Sequence, residues 1–351
     1  MNKPYFDKNM TLYIKGVMLI LMYILHFFCF PDWYVDGISY PALGFLSGMQ
    51  GHFQICVAGF SFLTGYFYCF LKEKNFRYSV KKIIGILIPY WIVYILFLIV
   101  SLVLGTADIT VKSFLLEISA VKPTVMSFCW YVSFYILSML MLPVLKLVSF
   151  GSKAAFCALG VFGPVFLYYA VTHFFPNDIL ISLLDKYQVY FPIIIIGYMS
   201  AEFGIFERIS LLLGKRKAVI IPVSLAMVII VFFEPGWLYS LPFDGFAFSA
   251  FRKLIRIVSI PLFVFGLIEL FGMIKEKYLI PLKMIGKYSL LMWFLHGIFF
   301  GGNKEVLQRI LFSPRNPLLV LLWGLLINFA AAFLINLVSE RAVKAATKKL
   351  S

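Results

Sequence analysis

Two ionisable residues lie inside the first long apolar segment of the chain. Lys15 and His26 both fall within residues 11–30, a stretch that is otherwise typical of a membrane helix. An ionisable side chain at the centre of a span costs about 3 kcal/mol, so its default explanation is function. Their eleven-residue spacing is nearly three helical turns, which puts both on one stripe, roughly 16 Å apart along the axis. This spacing predicts an anion-holding cation near one end and a proton-accepting imidazole deeper in the helix. The alternative is a snorkelling lysine and a structurally hydrogen-bonded histidine.

A second histidine lies at a similar predicted depth near the end of the chain. In the segment 287–302, Ser289, Trp293 and His296 follow helical spacing and share one face. His296 is nine residues past Lys287, or roughly 14 Å up the helix. It could take part in the chemistry or form only a structural hydrogen bond between helices, and the spacing leaves both open.

Polar residues also follow helical spacing in two other apolar segments. Gln54, Ser61 and Thr64 form a stripe that could line the path of a hydroxyl-rich substrate or simply join helices through hydrogen bonds. Arg252 and Arg256 share a face at the predicted outer end of the eighth span. They could bind an anionic acceptor such as a lipid pyrophosphate, or anchor the helix at the outer surface.

The composition identifies the element type that must position these residues. The 351 residues are 62% hydrophobic and 13% charged, whereas soluble domains are about 45–50% apolar and about 25% charged. We therefore predict an all-α integral membrane protein, a single domain over 1–351 with about ten transmembrane helices. The predicted spans are 11–30, 52–71, 83–104, 127–148, 154–171, 189–204, 218–233, 254–272, 287–302 and 317–338.

The charge distribution predicts the orientation. The chain carries a formal charge of +15, and most of its 31 lysines and arginines fall in short loops on the side of the N-terminus. By the positive-inside rule both termini are cytoplasmic. No basic helix or zinc spacing supports nucleic-acid binding, and the five scattered cysteines lack paired metal-ligand spacing, so no metal is expected. The first span is not followed by a small-residue cleavage site, so we expect it to be retained.

Ordered motifs along nearly the whole chain resemble acyltransferase family 3, the multi-spanning bacterial enzymes that O-acylate surface glycans. Lys15 to His26 is similar to the family's opening Arg/Lys-x10-His signature. Further segments resemble its later motifs in the expected order: FSFLTGYF (60–67), KKIIGILIPYW (81–91), WYVSFYILSMLMLP (130–143) and YSLLMWFLHGIFF (288–300). Two features differ from many members: Gly85 occupies the position of the second arginine of an Arg-x-x-Arg pair, and we expect no fused extracytoplasmic hydrolase-like domain.

The resemblance implies an acyl-coenzyme A donor, most simply acetyl-CoA, held from the cytoplasm. The cations expected to hold its phosphates are Lys15, Lys82, Lys81 and Arg77. Since burial disfavours a charged imidazole, His26 is expected to be neutral and to deprotonate the acceptor hydroxyl; a covalent acyl-histidine is the alternative. Tyr23, Ser289 and His296 are candidate donors to the oxyanion.

The acceptor implied by the resemblance is a surface polysaccharide or lipid-linked glycan, and the location is the bacterial cytoplasmic membrane. Candidate acceptor-binding residues are Gln54, Ser61, Thr64, Trp130, Arg252 and Arg256. A homo-oligomer is left open, and the alternative function is a transporter or flippase for lipid-linked glycans.

Overall fold

The chain folds into α-helices joined by short turns. This computed structural model describes residues 3–38, 43–106, 110–121, 123, 126–214, 216–243, 246–301 and 304–348, and it contains no β-strand within them. The helices are α1 Lys8–Phe28, α2 Leu43–Gly48, α3 Gln50–Phe53, α4 Ile55–Cys69, α5 Phe76–Val103, α6 Val111–Ile118, α7 Trp130–Val148, α8 Lys153–Phe174, α9 Asp178–Glu202, α10 Ile205–Leu213, α11 Lys217–Ser240, α12 Phe246–Gly272, α13 Glu276–His296, α14 Lys304–Leu311 and α15 Pro317–Thr347. Three 3-10 turns, Pro31–Trp33, Ser127–Cys129 and Gly297–Phe300, complete the described structure.

Eight of the described helices are long and apolar enough to cross a membrane: α1, α5, α7, α8, α9, α11, α12 and α15. The predicted all-α integral membrane fold is therefore confirmed. The second and ninth predicted spans correspond to α4, which has only 15 residues, and to α13, whose first half carries several charges. The count of ten spans and the cytoplasmic termini stay predictions.

Several helices begin well before the apolar segment that predicted them. α9 starts at Asp178 and α13 at Glu276, although their spans were predicted to start at 189 and 287. Position 302, the predicted end of the ninth span, lies outside the described residues. The cause at α9 is its cap, because the Asn177 side chain accepts hydrogen bonds from the backbone N–H groups of Ile179 and Leu180. Hydropathy locates the part of a helix within hydrocarbon, whereas the cap locates its start.

The central helix α1 packs between α4 and α13. It crosses α13 closely at two glycines: a Cβ on Gly16 would overlap the backbone of Leu282, and one on Gly286 would overlap the backbone of Leu12. Small residues of this kind let membrane helices approach at backbone distance. This crossing fixes the register of the two helices, which run in the same direction.

The outer helices turn apolar side chains outward. Phe162 and Phe166 on α8, Ile230 on α11 and Leu326 on α15 are each exposed over more than half of their surface. Such a surface suits hydrocarbon, where apolar side chains are the favourable ones. The polar residues considered below lie instead in the interior of the bundle or at its ends.

Candidate active site

His26 and His296 meet at one end of the bundle, which we call the histidine end. His296 Nε2 lies 2.8 Å from His26 Nδ1, and the two rings stack with centroids 4.8 Å apart. Gly16 and Gly286 at the helix crossing are each ten residues before their histidine. Two parallel helices rising from one crossing by the same number of residues, about 15 Å each, carry both imidazoles to the same depth.

The hydrogen bonds of the pair assign its protons. His296 Nδ1 contacts the backbone carbonyl oxygen of Trp293, which can only accept, so Nδ1 carries the hydrogen. When both rings are neutral, His296 Nε2 must then accept a hydrogen bond from His26 Nδ1–H. His26 Nε2 is left with a lone pair, the form that a general base requires. Because His296 is fully buried and His26 is not, His26 is the member that a substrate can reach.

The cavity in front of His26, which we call the base cavity, has a volume of about 450 Å³. The three 3-10 turns supply most of its aromatic wall. Trp33 stacks on Phe30 at 4.0 Å between centroids, and Phe128 meets the His26 ring edge-on at 5.6 Å. The lining residues are His26, Phe30, Asp32, Trp33, Phe128, Trp130, Phe300 and Lys304.

Buried polar side chains hold these turns in place. Gln308 Nε2 donates to the Trp33 carbonyl at 3.0 Å, and its Oε1 accepts from Val35 N–H at 2.9 Å. On the opposite wall, the Glu117 carboxyl accepts from Met126 N–H at 3.0 Å, directly before the turn that carries Phe128. Each buried group thus has the partner that burial demands, and the wall is preformed.

A second cavity of about 490 Å³, which we call the basic cavity, lies beside the base cavity at the histidine end. Trp130 lines both cavities. The basic cavity brings together four of the predicted acceptor residues: Gln54, Trp130, Arg252 and Arg256. Charged residues that the sequence did not indicate also line it: Asp185, Lys186, Glu234 and Lys253.

The other predicted acceptor residues lie elsewhere. Ser61 is fully buried, and the Thr64 hydroxyl donates to the Phe60 carbonyl at 3.0 Å within its own helix. Both neighbour Tyr131 on α7 and line neither cavity. Their predicted contact with the acceptor remains a prediction.

The candidate oxyanion donors differ in position. The Tyr23 hydroxyl donates to the Met292 carbonyl at 2.8 Å and is fully buried. Ser289 is also buried, but it lies seven residues before His296 on α13, roughly 10 Å away along the axis. His296 itself faces His26. Their predicted part in stabilising an oxyanion is untested, and in this geometry both Tyr23 and His296 tie α13 to α1.

The predicted phosphate-binding cations gather at the opposite end, which we call the lysine end. Lys15 and Lys82 lie within electrostatic range of each other, and Lys81 is adjacent. Lys15 and Lys81 are half-buried, whereas Lys82 and Arg77 are exposed. Within the described ranges no acidic side chain forms an ion pair with Lys15 or Lys82, so their like charges would be stabilised by an anion.

Sequence reasoning missed most of the cavity walls. The aromatic and charged cluster PDW at 31–33, directly after the span that carries His26, was an available signal. Phe128, Lys186 and Lys304 carry no such signal, because only long-range packing brings them beside His26 or Arg252.

Comparison with known proteins identifies the family of the chain. Residues 7–337 match the family model described as an acyltransferase domain. No curated protein and no solved structure gave a match. Since the match covers nearly the whole chain, the resemblance seen in the motifs is confirmed: the chain belongs to acyltransferase family 3 and is a multi-pass membrane acyltransferase.

Proposed function

We propose that this acyltransferase moves an acyl group, most simply acetyl, from cytoplasmic acyl-CoA to a hydroxyl of a surface polysaccharide or lipid-linked glycan. His26 is the general base. The observation that carries the proposal is the histidine pair: His296 holds His26 Nδ1 at 2.8 Å, while His26 lines an aromatic-walled cavity. Family membership favours this enzyme over the transporter considered from the sequence.

The reaction needs one proton acceptor and one leaving thiolate. His26 Nε2 takes the proton of the acceptor hydroxyl as the oxygen attacks the thioester carbonyl carbon. The C–S bond breaks, and the coenzyme A thiolate takes the proton from the His26 imidazolium. The products are an ester and a free thiol, and His26 is again neutral.

His296 acts through His26 in this mechanism. Its bond to Trp293 O fixes the hydrogen on Nδ1, and this fixes the tautomer of His26. When His26 gains a proton, its Nδ1–H···Nε2 bond to His296 becomes charge-assisted and stronger. His296 is therefore a positioning residue.

The donor is held at the lysine end. Lys15, Lys82, Lys81 and Arg77 supply positive charge for the nucleotide phosphates. Lys15 and His26 lie on one stripe of α1, so an extended pantetheine arm along this helix leads from the phosphates towards the base. With the phosphates in the cytoplasm, the acceptor is reached at the outer face of the bacterial cytoplasmic membrane.

The aromatic base cavity suits a saccharide. Sugar rings present apolar C–H faces that pack on aromatic rings, and their hydroxyls need polar partners at the edges. Trp33 and Phe128 provide the rings, while Asp32 and Lys304 provide polar groups at the rim.

The test is transfer of labelled acetyl from acetyl-CoA to glycan by the purified full-length protein. His26→Ala should abolish transfer and leave membrane insertion intact. His173→Ala is a matched control, since His173 is exposed and stacks on Tyr169 of its own helix. Full activity of His26→Ala would refute the proposal.

The donor site is tested separately. Lys15→Gln should weaken acyl-CoA binding, because it removes charge beside the phosphates; the exposed Lys277→Gln serves as its control. Unchanged coenzyme A affinity in Lys15→Gln would remove Lys15 from the donor site.

A further inference from the structure

The basic cavity carries more positive than negative charge. Among the described residues that line it, four are cationic and two are acidic: Arg252, Lys253, Arg256 and Lys186 against Asp185 and Glu234. Like charges that share one concave surface repel, and they raise the local concentration of anions. The cavity is therefore suited to an anionic ligand.

The two acids are matched to two of the four cations. Asp185 forms an ion pair with Lys186 at 2.8 Å. Glu234, which is nearly fully buried, accepts from the Ser259 hydroxyl at 2.8 Å and lies 4.0 Å from Arg256. The described lining as a whole therefore keeps a formal surplus of two positive charges.

The basic cavity adjoins the site of chemistry. Trp130 forms a wall of both cavities, and the Lys186 ammonium lies 5.9 Å from the centroid of its ring. Leu25, the residue before His26, lies in the deep apolar wall together with Val57 and Ile193. One molecule can therefore place a hydroxyl at His26 and an anionic group in the basic cavity.

We propose that the basic cavity binds a phosphate group of the acceptor. The inference depends on the proposed function for the statement that the bound molecule is the acceptor. Arginine binds phosphate oxygens through paired N–H donors, and lysine adds a point charge. The phosphate belongs either to the diphosphate of a lipid-linked glycan, whose first isoprenoid units would follow the apolar wall, or to a phosphate substituent of the saccharide.

Equilibrium binding to the full-length protein in nanodiscs tests this, with farnesyl diphosphate and glucose 1-phosphate as separate probes. At least one probe should bind, and Arg252→Gln and Lys253→Gln should each weaken its binding by about tenfold, the loss of one charge-assisted contact. Arg309→Gln is a matched control at the same end, because the exposed Arg309 pairs with Glu305 on its own helix, away from the basic cavity. Neutral methyl glucoside should not compete.

The outcomes separate the two sources and the two proposals. Binding of farnesyl diphosphate alone assigns the phosphate to a lipid anchor, and binding of glucose 1-phosphate assigns it to the saccharide. Binding of neither probe, or unchanged affinity in both variants, overturns the inference. His26→Ala should bind the same probe with wild-type affinity. If His26→Ala still transfers acetyl while Arg252→Gln still weakens probe binding, the proposed base is wrong and the phosphate site stands.

Discussion

A single methyl group at the helix crossing is expected to disable catalysis. In Gly286→Ala the new Cβ would lie 2.7 Å from the carbonyl carbon of Leu12 and 3.0 Å from its Cα. Carbon atoms pack best at about 3.5–4.0 Å, so α1 and α13 must separate by roughly 1 Å. The His296–His26 distance of 2.8 Å then exceeds hydrogen-bond range. A misplacement of this size costs about 100-fold in rate, together with about 1–3 kcal/mol of stability from overpacking.

The measurement is single-turnover transfer of labelled acetyl, with thermal unfolding of each variant recorded in parallel. Gly163→Ala is the control, since a Cβ there meets nothing within 4 Å and the residue also lies in a spanning helix. It should retain the wild-type rate. Folded Gly286→Ala with a wild-type rate would show that the crossing does not set the histidine geometry, and an equal loss in Gly163→Ala would show that the effect is general.

Two further predictions concern the base and the wall of the base cavity. His296→Phe keeps an aromatic ring but removes the hydrogen-bond partner of His26 Nδ1, so kcat should fall by about 100-fold and the pH profile of kcat should shift. KM for acyl-CoA should change less than twofold. An unaltered kcat and pH profile would contradict the positioning role of His296. Trp33→Ala removes an aromatic wall, so KM for the glycan should rise by about tenfold with KM for acyl-CoA unchanged. Trp237→Ala, on the exposed face of α11, should alter neither constant, and a similar rise in both tryptophan variants would refute a specific wall.

Local periodicity in the sequence was sufficient for the fold class and for part of the site. The Lys15–His26 stripe depends only on helical spacing within one segment, and such spacing survives in any packing arrangement. The depth of His296 followed in the same way. That the two imidazoles touch could not be read from either segment, because contact depends on the parallel crossing of α1 and α13 at Gly16 and Gly286.

The remaining features depend on long-range packing and on elements that hydropathy does not detect. The turn that carries Phe128 is held by Glu117, a charged residue buried through a partner that the sequence does not reveal. Arg252 and Lys186 come from helices that are far apart in sequence, and only the fold puts them around one cavity. Gln54 was assigned to a continuous span, whereas it lies at the break between α3 and α4. It lines the basic cavity, which Ser61 and Thr64 do not.

The apolar surroundings of the histidine pair explain why so few polar groups can specify its geometry. An unpaired ring nitrogen in such an interior costs as much as a lost hydrogen bond or more. Apart from His296, the rings nearest to His26 belong to Phe30, Trp33 and Phe128. None of these three rings has an in-plane acceptor for the His26 Nδ1–H. The partner of His26 Nδ1 is His296, which is in turn fixed by its own helix backbone at Trp293. A rotamer of His26 that turns Nδ1 away from His296 gives up this hydrogen bond, and the low local dielectric increases that penalty. It follows that the direction of the reactive lone pair is set by a residue that need never touch the substrate.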